Sequence, residues 1–289
     1  MTRRNAFTMM ELLVVLAVIA TLSALLFPAV IAAKDQARRT VCVVNFGQVS
    51  MATSLYLQDY DDRYMPANYQ VDSPTSQNDK TWVQLLLPYV NNLKIFRCPA
   101  DVASRSAAEG TFDESLSPVD SAERFYDISM RSNLGYNYLY LAPPVKEGGV
   151  WQVQPRMYTQ LSNASQTLLF VDTVHEVVDG RPQGGGNYLV IPPCRYEVVN
   201  DTKVDTFLAT VAGPSRQVFA AHAGWTPQES STYVFGGAWP WHSGTVTVVR
   251  ADGSAKVVKT ADLAGGCEVK DQWGGFISDR GRYLWDFQP

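Results

Sequence analysis

From Phe7 to Ala33 the chain reads FTMMELLVVLAVIATLSALLFPAVIAA, an apolar run interrupted by one acid, Glu11. About 22 uncharged residues follow Glu11, long enough to cross a bilayer as a helix. A carboxylate at the start of such a run is costly in lipid and marks a function. Pro28 lies inside the run, where it removes one helix hydrogen bond and bends the axis. The pattern changes at Lys34. From there to Tyr60 no proline occurs, and Cys42, Phe46, Val49, Ala52, Tyr56 and Tyr60 recur at spacings of three or four. That periodicity predicts an amphipathic continuation of the same helix, with one face meeting a folded domain. Pro66 is the expected stop.

Beyond the helix the pattern shortens. Residues 69–80 are polar and read as a loop. Trp82–Val90 is a short apolar helix or strand. Strands are expected over Tyr136–Leu141, Leu168–Asp172, Tyr188–Ile191 and Phe207–Val211, with Arg181–Gly186 as a turn-rich connector. Near the C-terminus, Thr245–Arg250 and Ser254–Val258 flank Asp252-Gly253, a strong hairpin signal. The predicted fold class is α+β: a long N-terminal helix packed on an antiparallel sheet.

Several segments together resemble known families. Ala6, Phe7, Thr8, Glu11, Leu12, Leu13 and Val14, behind a short basic leader with Arg3 and Arg4, resemble the prepilin signal of type IV pilins and type II secretion pseudopilins. Ala6 stands where that family usually has Gly, and Pro28 falls where many pilins carry a kinking proline. Cys42-Val-Val-Asn45, the Asp59–Arg63 stretch, Ile95–Asp101 and a His-x9-Asp-Gly signature (His242, Asp252, Gly253) resemble a broad bacterial group of large prepilin-like proteins. The resemblance implies a leader over 1–6, an assembly and membrane helix over 7–33, its amphipathic continuation over 34–60, and an extracytoplasmic head over 61–289. It implies cleavage after Ala6 by a prepilin peptidase and N-methylation of Phe7. Glu11 and Pro28 become assembly residues. The partners are other pilin or pseudopilin subunits and the inner membrane, with the N-terminus cytoplasmic. The large head suits a minor or tip subunit. Competing readings are a secretory signal cut after Ala32 or Ala33, a plain N-terminal anchor, a secreted or membrane-anchored binding module (for a cell-surface glycan, for instance, with tryptophans and tyrosines as stacking platforms), and a secreted hydrolase using the histidines.

Composition adds limits. The 289 residues allow one or two domains, with about 230 left for a core once the helix is set aside. A net charge of −4 gives no electrostatic case for nucleic acid, which favours clustered basic surface. Four cysteines allow three pairings, and no CxxC favours zinc or a redox motif. Cys42 lies on the helix face expected to meet the head, and Cys98 follows the apolar segment from Trp82. The expected disulfides are therefore Cys42–Cys98 and, second, Cys194–Cys267, as export permits. The acids Asp59, Asp61 and Asp62 lack the Gly and terminal Glu of an EF-hand loop and read as a solvated helix end.

Asp172 with His175, His222 or His242 is the remaining candidate for acid–base or metal chemistry. No GxSxG, HExxH, P-loop or Rossmann fingerprint accompanies them, so no catalytic residue, metal or cofactor is expected. His242 reads as a ring bonded to a neighbouring loop, and Asp172 as a turn or strand-end bond.

Overall fold

In the computed structural model, α1 (Met9–Asp59) joins the two predicted helical stretches into one. The structure describes residues 8–69, 80–90, 92–101, 129–147, 150–178, 181–183, 185–207, 217–218, 225, 234–270 and 274–287. Ala6, Phe7 and His222 lie outside these, as do residues 208–211 of one expected strand.

The helix passes through Pro28 without ending. It stops ahead of Pro66, at Asp59. Asp61 and Asp62 adopt left-handed backbone at φ 53° and 58°, and the Asp62 amide donates back to the Leu57 carbonyl at 2.8 Å. Aspartate tolerates that conformation better than most side chains, so two acids supply the stop expected of proline. Asp59 Oδ2 accepts from the Tyr89 hydroxyl at 2.7 Å, which ties the helix end to the head.

The remaining elements are short. In chain order they are β1 (Asn68–Tyr69), β2 (Lys80–Thr81), α2 (Trp82–Leu86), β3 (Leu134–Tyr136), α3 (Tyr138–Leu141), β4 (Pro144–Glu147), β5 (Val150–Val153), β6 (Leu168–Asp172), β7 (Glu176–Val178), β8 (Arg181–Gln183), β9 (Cys194–Val199), β10 (Thr202–Asp205), β11 (Gln217–Val218), β12 (Thr245–Arg250), β13 (Ala255–Lys259), β14 (Cys267–Glu268) and β15 (Gly275–Ile277). The central sheet runs β13-β12-β6-β3, antiparallel throughout. The second half of α1 lies against β12 and β13. All five residues of β6 are buried, so its four apolar residues run together rather than alternate and even the closing Asp172 is enclosed. A second sheet, β10-β9-β15-β14, contains the one parallel strand pairing among the described residues, β15 with β9. Cys194 and Cys267 are disulfide-bonded across it, as expected.

Two expected strands differ. Over Tyr136–Leu141 the chain leaves the sheet after Tyr136 and forms α3. Asn137 makes the break: its Nδ2 donates to the carbonyls of Leu168 and Trp285, so its side chain bonds where a strand would continue. Over Tyr188–Ile191 only a single bridge forms, Leu189 with Tyr136. Asn187 Oδ1 takes the Leu189 amide and Trp225 Nε1 takes the Ile191 carbonyl, so side chains capture groups a strand would use. The Trp82 segment, open between helix and strand, is α2 followed by a 3-10 turn over Leu87–Tyr89.

The core centres on Trp82, whose ring lies 4.7 Å from that of Phe170 and whose Nε1 donates to the Tyr188 carbonyl at 2.7 Å. Phe46, Val49, Ala52 and Tyr56 of α1 belong to the same buried cluster.

Candidate functional site

Two places on α1 carry the residues singled out in the sequence. The first is its start. Thr8 is the N-cap: its Oγ1 accepts from the Glu11 amide at 3.3 Å, while Glu11 Oε2 accepts from the Thr8 amide at 2.9 Å. This reciprocal pair is a capping box, and Thr-x-x-Glu is its sequence signature. Glu11, expected to act in assembly, thus has a local role at its own helix start as well. In the single chain the Glu11 carboxylate satisfies the amide of Thr8 at the start of its own helix. From Met9 to Ile31 the helix buries no side chain, and Leu25 and Phe27 are exposed by 77% and 68%.

The second place is the junction of helix and head. Cys42, on the inward face of α1, is bonded to Cys98 with Cα atoms 5.3 Å apart. This is the pairing expected above. Cys98 follows the 3-10 turn Leu93–Phe96, and its amide donates to Asn133 Oδ1 at 3.0 Å. His242 completes the group: its Nε2 stands 3.3 Å from Cys98 Sγ. The histidine was expected against a neighbouring loop; the structure sets it on a disulfide. Its backbone is held by mutual bonds with Thr245 across a turn in which Ser243 and Gly244 have positive φ. Burial holds the ring below the ordinary histidine value, Arg39 pushes the same way and Asp35 opposes them, so the ring is neutral at pH 7.

The signature residues do not meet one another. They occupy opposite ends of β12, and each end touches α1. His242 reaches the Cys42–Cys98 bond. At the other end Gly253 faces Ser50: a Cβ built on it would lie 3.5 Å from the serine Oγ. The spacing of the motif is thus the length of a strand laid along the helix. The turn is a three-residue loop, Ala251–Gly253, closed by Arg250 and Ser254, with Gly253 at φ 87°. Asp252 Oδ1 accepts from the Ser254 amide. Burial raises the Asp252 carboxyl, but Ser254 and the charges of Arg250 and Lys256 outweigh it and hold it below its usual value.

Asp172 and His175 form no pair. Asp172 is fully buried in β6, and its Oδ2 accepts from the Thr247 amide of β12 at 2.6 Å. Its Oδ1 has no hydrogen-bond partner among the described residues. Burial pushes this carboxyl up to about 7, against the Thr247 amide bond, which lowers it. The His175 amide bonds the Gly185 carbonyl instead. Among the described residues, three metal-ligating side chains converge at Cys42, Cys98 and His242, and not at Asp59–Asp62. Trp82, Trp225 and Trp285 are buried in the core, so these three indoles offer no open face to a glycan. Comparison with protein-family models, with curated proteins and with solved structures found no match.

Proposed function

We propose that this chain is a prepilin-like structural subunit, anchored by α1 and assembled with other pilin or pseudopilin subunits through the exposed half of that helix. The observation that carries this reading is the split of α1. Its first half is apolar and wholly unpacked, while its second half is locked to a folded head by core contacts and a disulfide. So large an exposed apolar surface needs a lipid or protein cover. A cleaved secretory signal has no need of continuity with a head-docked helix. On this reading a prepilin peptidase cuts after Ala6, Phe7 becomes the methylated N-terminus, and the head stands outside the inner membrane as a minor or tip component.

Glu11 has a defined place in the proposal. Buried in an assembled bundle, its carboxylate pairs with the new α-amino group of Phe7 on an adjacent subunit, because an unpaired buried charge is far costlier than a paired one. The capping box supplies the discriminating variants. Glu11→Leu removes both cap and charge, whereas Glu11→Gln keeps a capping acceptor and loses only the charge. Both are expected to insert and export a folded head, and both to fall sharply in sheared filaments relative to the membrane pool. Normal incorporation of Glu11→Gln reduces Glu11 to a helix cap. N-terminal sequencing of the mature protein tests the whole reading: a start at Phe7 supports it, and a start near Lys34 or at Met1 overturns it.

A further inference from the structure

We propose that Cys42, Cys98 and His242 form a soft-metal site in the reduced protein, which takes one Zn2+ in place of the disulfide. The inference rests on the convergence of three ligand atoms and holds whether or not the chain assembles into filaments. The three side chains come from α1, from the turn after Phe96 and from the turn before β12. Their ligand atoms lie within 4.8 Å of one another. Thiolate and imidazole are the donors that zinc prefers, and three protein ligands plus water make up an open zinc site.

The distances favour the exchange. A tetrahedral zinc with ordinary bond lengths sets its nitrogen and sulfur ligands about 3.6 Å apart and two sulfurs about 3.8 Å apart. His242 Nε2 already stands 3.3 Å from Cys98 Sγ. A disulfide holds its sulfurs about 2 Å apart, so a rotation that moves Cys42 Sγ by under roughly 2 Å completes the set. The ligands are also held in place. Cys42 is in mid-helix, the Cys98 amide is bonded to Asn133, and the His242 backbone is bonded to Thr245. Both cysteines are fully buried, and His242, 7% exposed, is the edge through which an ion enters.

The chemistry balances. A dithiol reductant gives two electrons and two protons to the Cys42–Cys98 bond, becomes a disulfide itself, and leaves two thiols. Zn2+ then displaces both thiol protons to solvent and takes the lone pair of His242 Nε2. Helix and head remain tied in either state, by a covalent bond when oxidised and by the ion when reduced. The sequence hid the site because its ligands are far apart and none belongs to a CxxC.

The test uses the full chain in detergent micelles, reduced anaerobically with a dithiol that is then removed, and titrated with Co2+ as the spectroscopic probe. The expected result is one equivalent of cobalt with thiolate-to-metal charge transfer and tetrahedral bands, displaced by Zn2+. The oxidised protein gives no such bands. A Cys194→Ser/Cys267→Ser variant keeps the signal, and a Cys42→Ser/Cys98→Ser variant abolishes it. His242→Ala weakens binding by at least about tenfold, as loss of a ligand should exceed loss of an outer-shell partner. If reduction unfolds the head, Zn2+ is expected to restore its circular dichroism and raise its Tm. Reduced protein without the thiolate signature, a signal unchanged in His242→Ala, or an unfolded reduced head that Zn2+ does not restore overturns the proposal.

Discussion

Between Met9 and Ile31, α1 leaves Leu22, Leu25 and Phe27 more than 60% exposed; between Cys42 and Leu57 it buries Cys42, Phe46 and Val49 completely. Both halves belong to one continuous helix, in which Pro28 of the first half lacks the N–H for a single backbone bond. What differs is the distribution of side chains around the axis. The first half is apolar on every side and suits a medium without preferred direction, such as lipid or a helical bundle. The second half turns one apolar stripe to the head and carries Gln36, Arg39, Gln48 and Gln58 among its other residues. A helix can therefore be continuous in structure and divided in energetics, because burial follows the pattern and not the backbone.

Substitutions in the two halves test that division most strongly. Phe46→Ala opens a cavity in the core and is expected to destabilise the head by about 3–5 kcal/mol. Leu25→Ala, in the unpacked half, is expected to change head stability by less than about 0.5 kcal/mol. Denaturant unfolding in micelles measures both, and similar effects at the two positions erase the comparison.

The disulfide comes next. Cys42→Ser removes the covalent tie between helix and head and is expected to cost about 2–4 kcal/mol in metal-free buffer. A fluorescence melt without metal measures it, and an unchanged midpoint means that packing alone holds the junction.

The sheet beneath the docked half carries a pH signature. The Asp172 carboxyl is near 7 when folded and near 3.9 when unfolded. Between these values the native protein keeps a proton that the unfolded chain has released. Stability therefore falls as pH rises through this window, by roughly 1.4 kcal/mol per pH unit, and is flat above it. Asp172→Asn, which mimics the protonated acid, is expected to flatten the profile and to equal or exceed the wild type at pH 8. A wild-type curve of unfolding free energy that does not fall between pH 5 and 7 refutes the buried-acid reading.

The smallest effect belongs to the hairpin. Gly253→Val forces a β-branched residue into a positive-φ position and is expected to cost about 1 kcal/mol or slightly more. Ser50 lies within contact distance of the added Cβ, so amide exchange in the Ser50 turn of α1 is expected to speed up with it. An unchanged Tm would mean that the loop accepts a side chain there.

Much of this was legible in the chain. A spacing of three or four marked the docked face of α1, and Cys42, Phe46, Val49, Ala52 and Tyr56 are buried on it. Thr245–Arg250 is a strand at the expected bounds, and Asp252-Gly253 is the turn beside it. These features are local: each depends on residues a few positions apart and on backbone preferences that act in any context. The capping role of Glu11 is equally local, encoded in the Thr8-x-x-Glu11 spacing.

Other features required the folded chain. The break at Asn137 depends on carbonyls of Leu168 and Trp285 that only packing brings near. The acidity of Asp172 depends on the strands that enclose it. His242 meets Cys98 across 144 residues of sequence, since β12 is laid along α1 at a register set by burial of both. The sequence by itself determined the long helix, the C-terminal hairpin and which of their faces are apolar, since these follow from neighbours along the chain. Which side chains meet across the core, and therefore which chemistry they share, was decided only when those faces packed, because burial is non-directional and many pairings satisfy the same pattern.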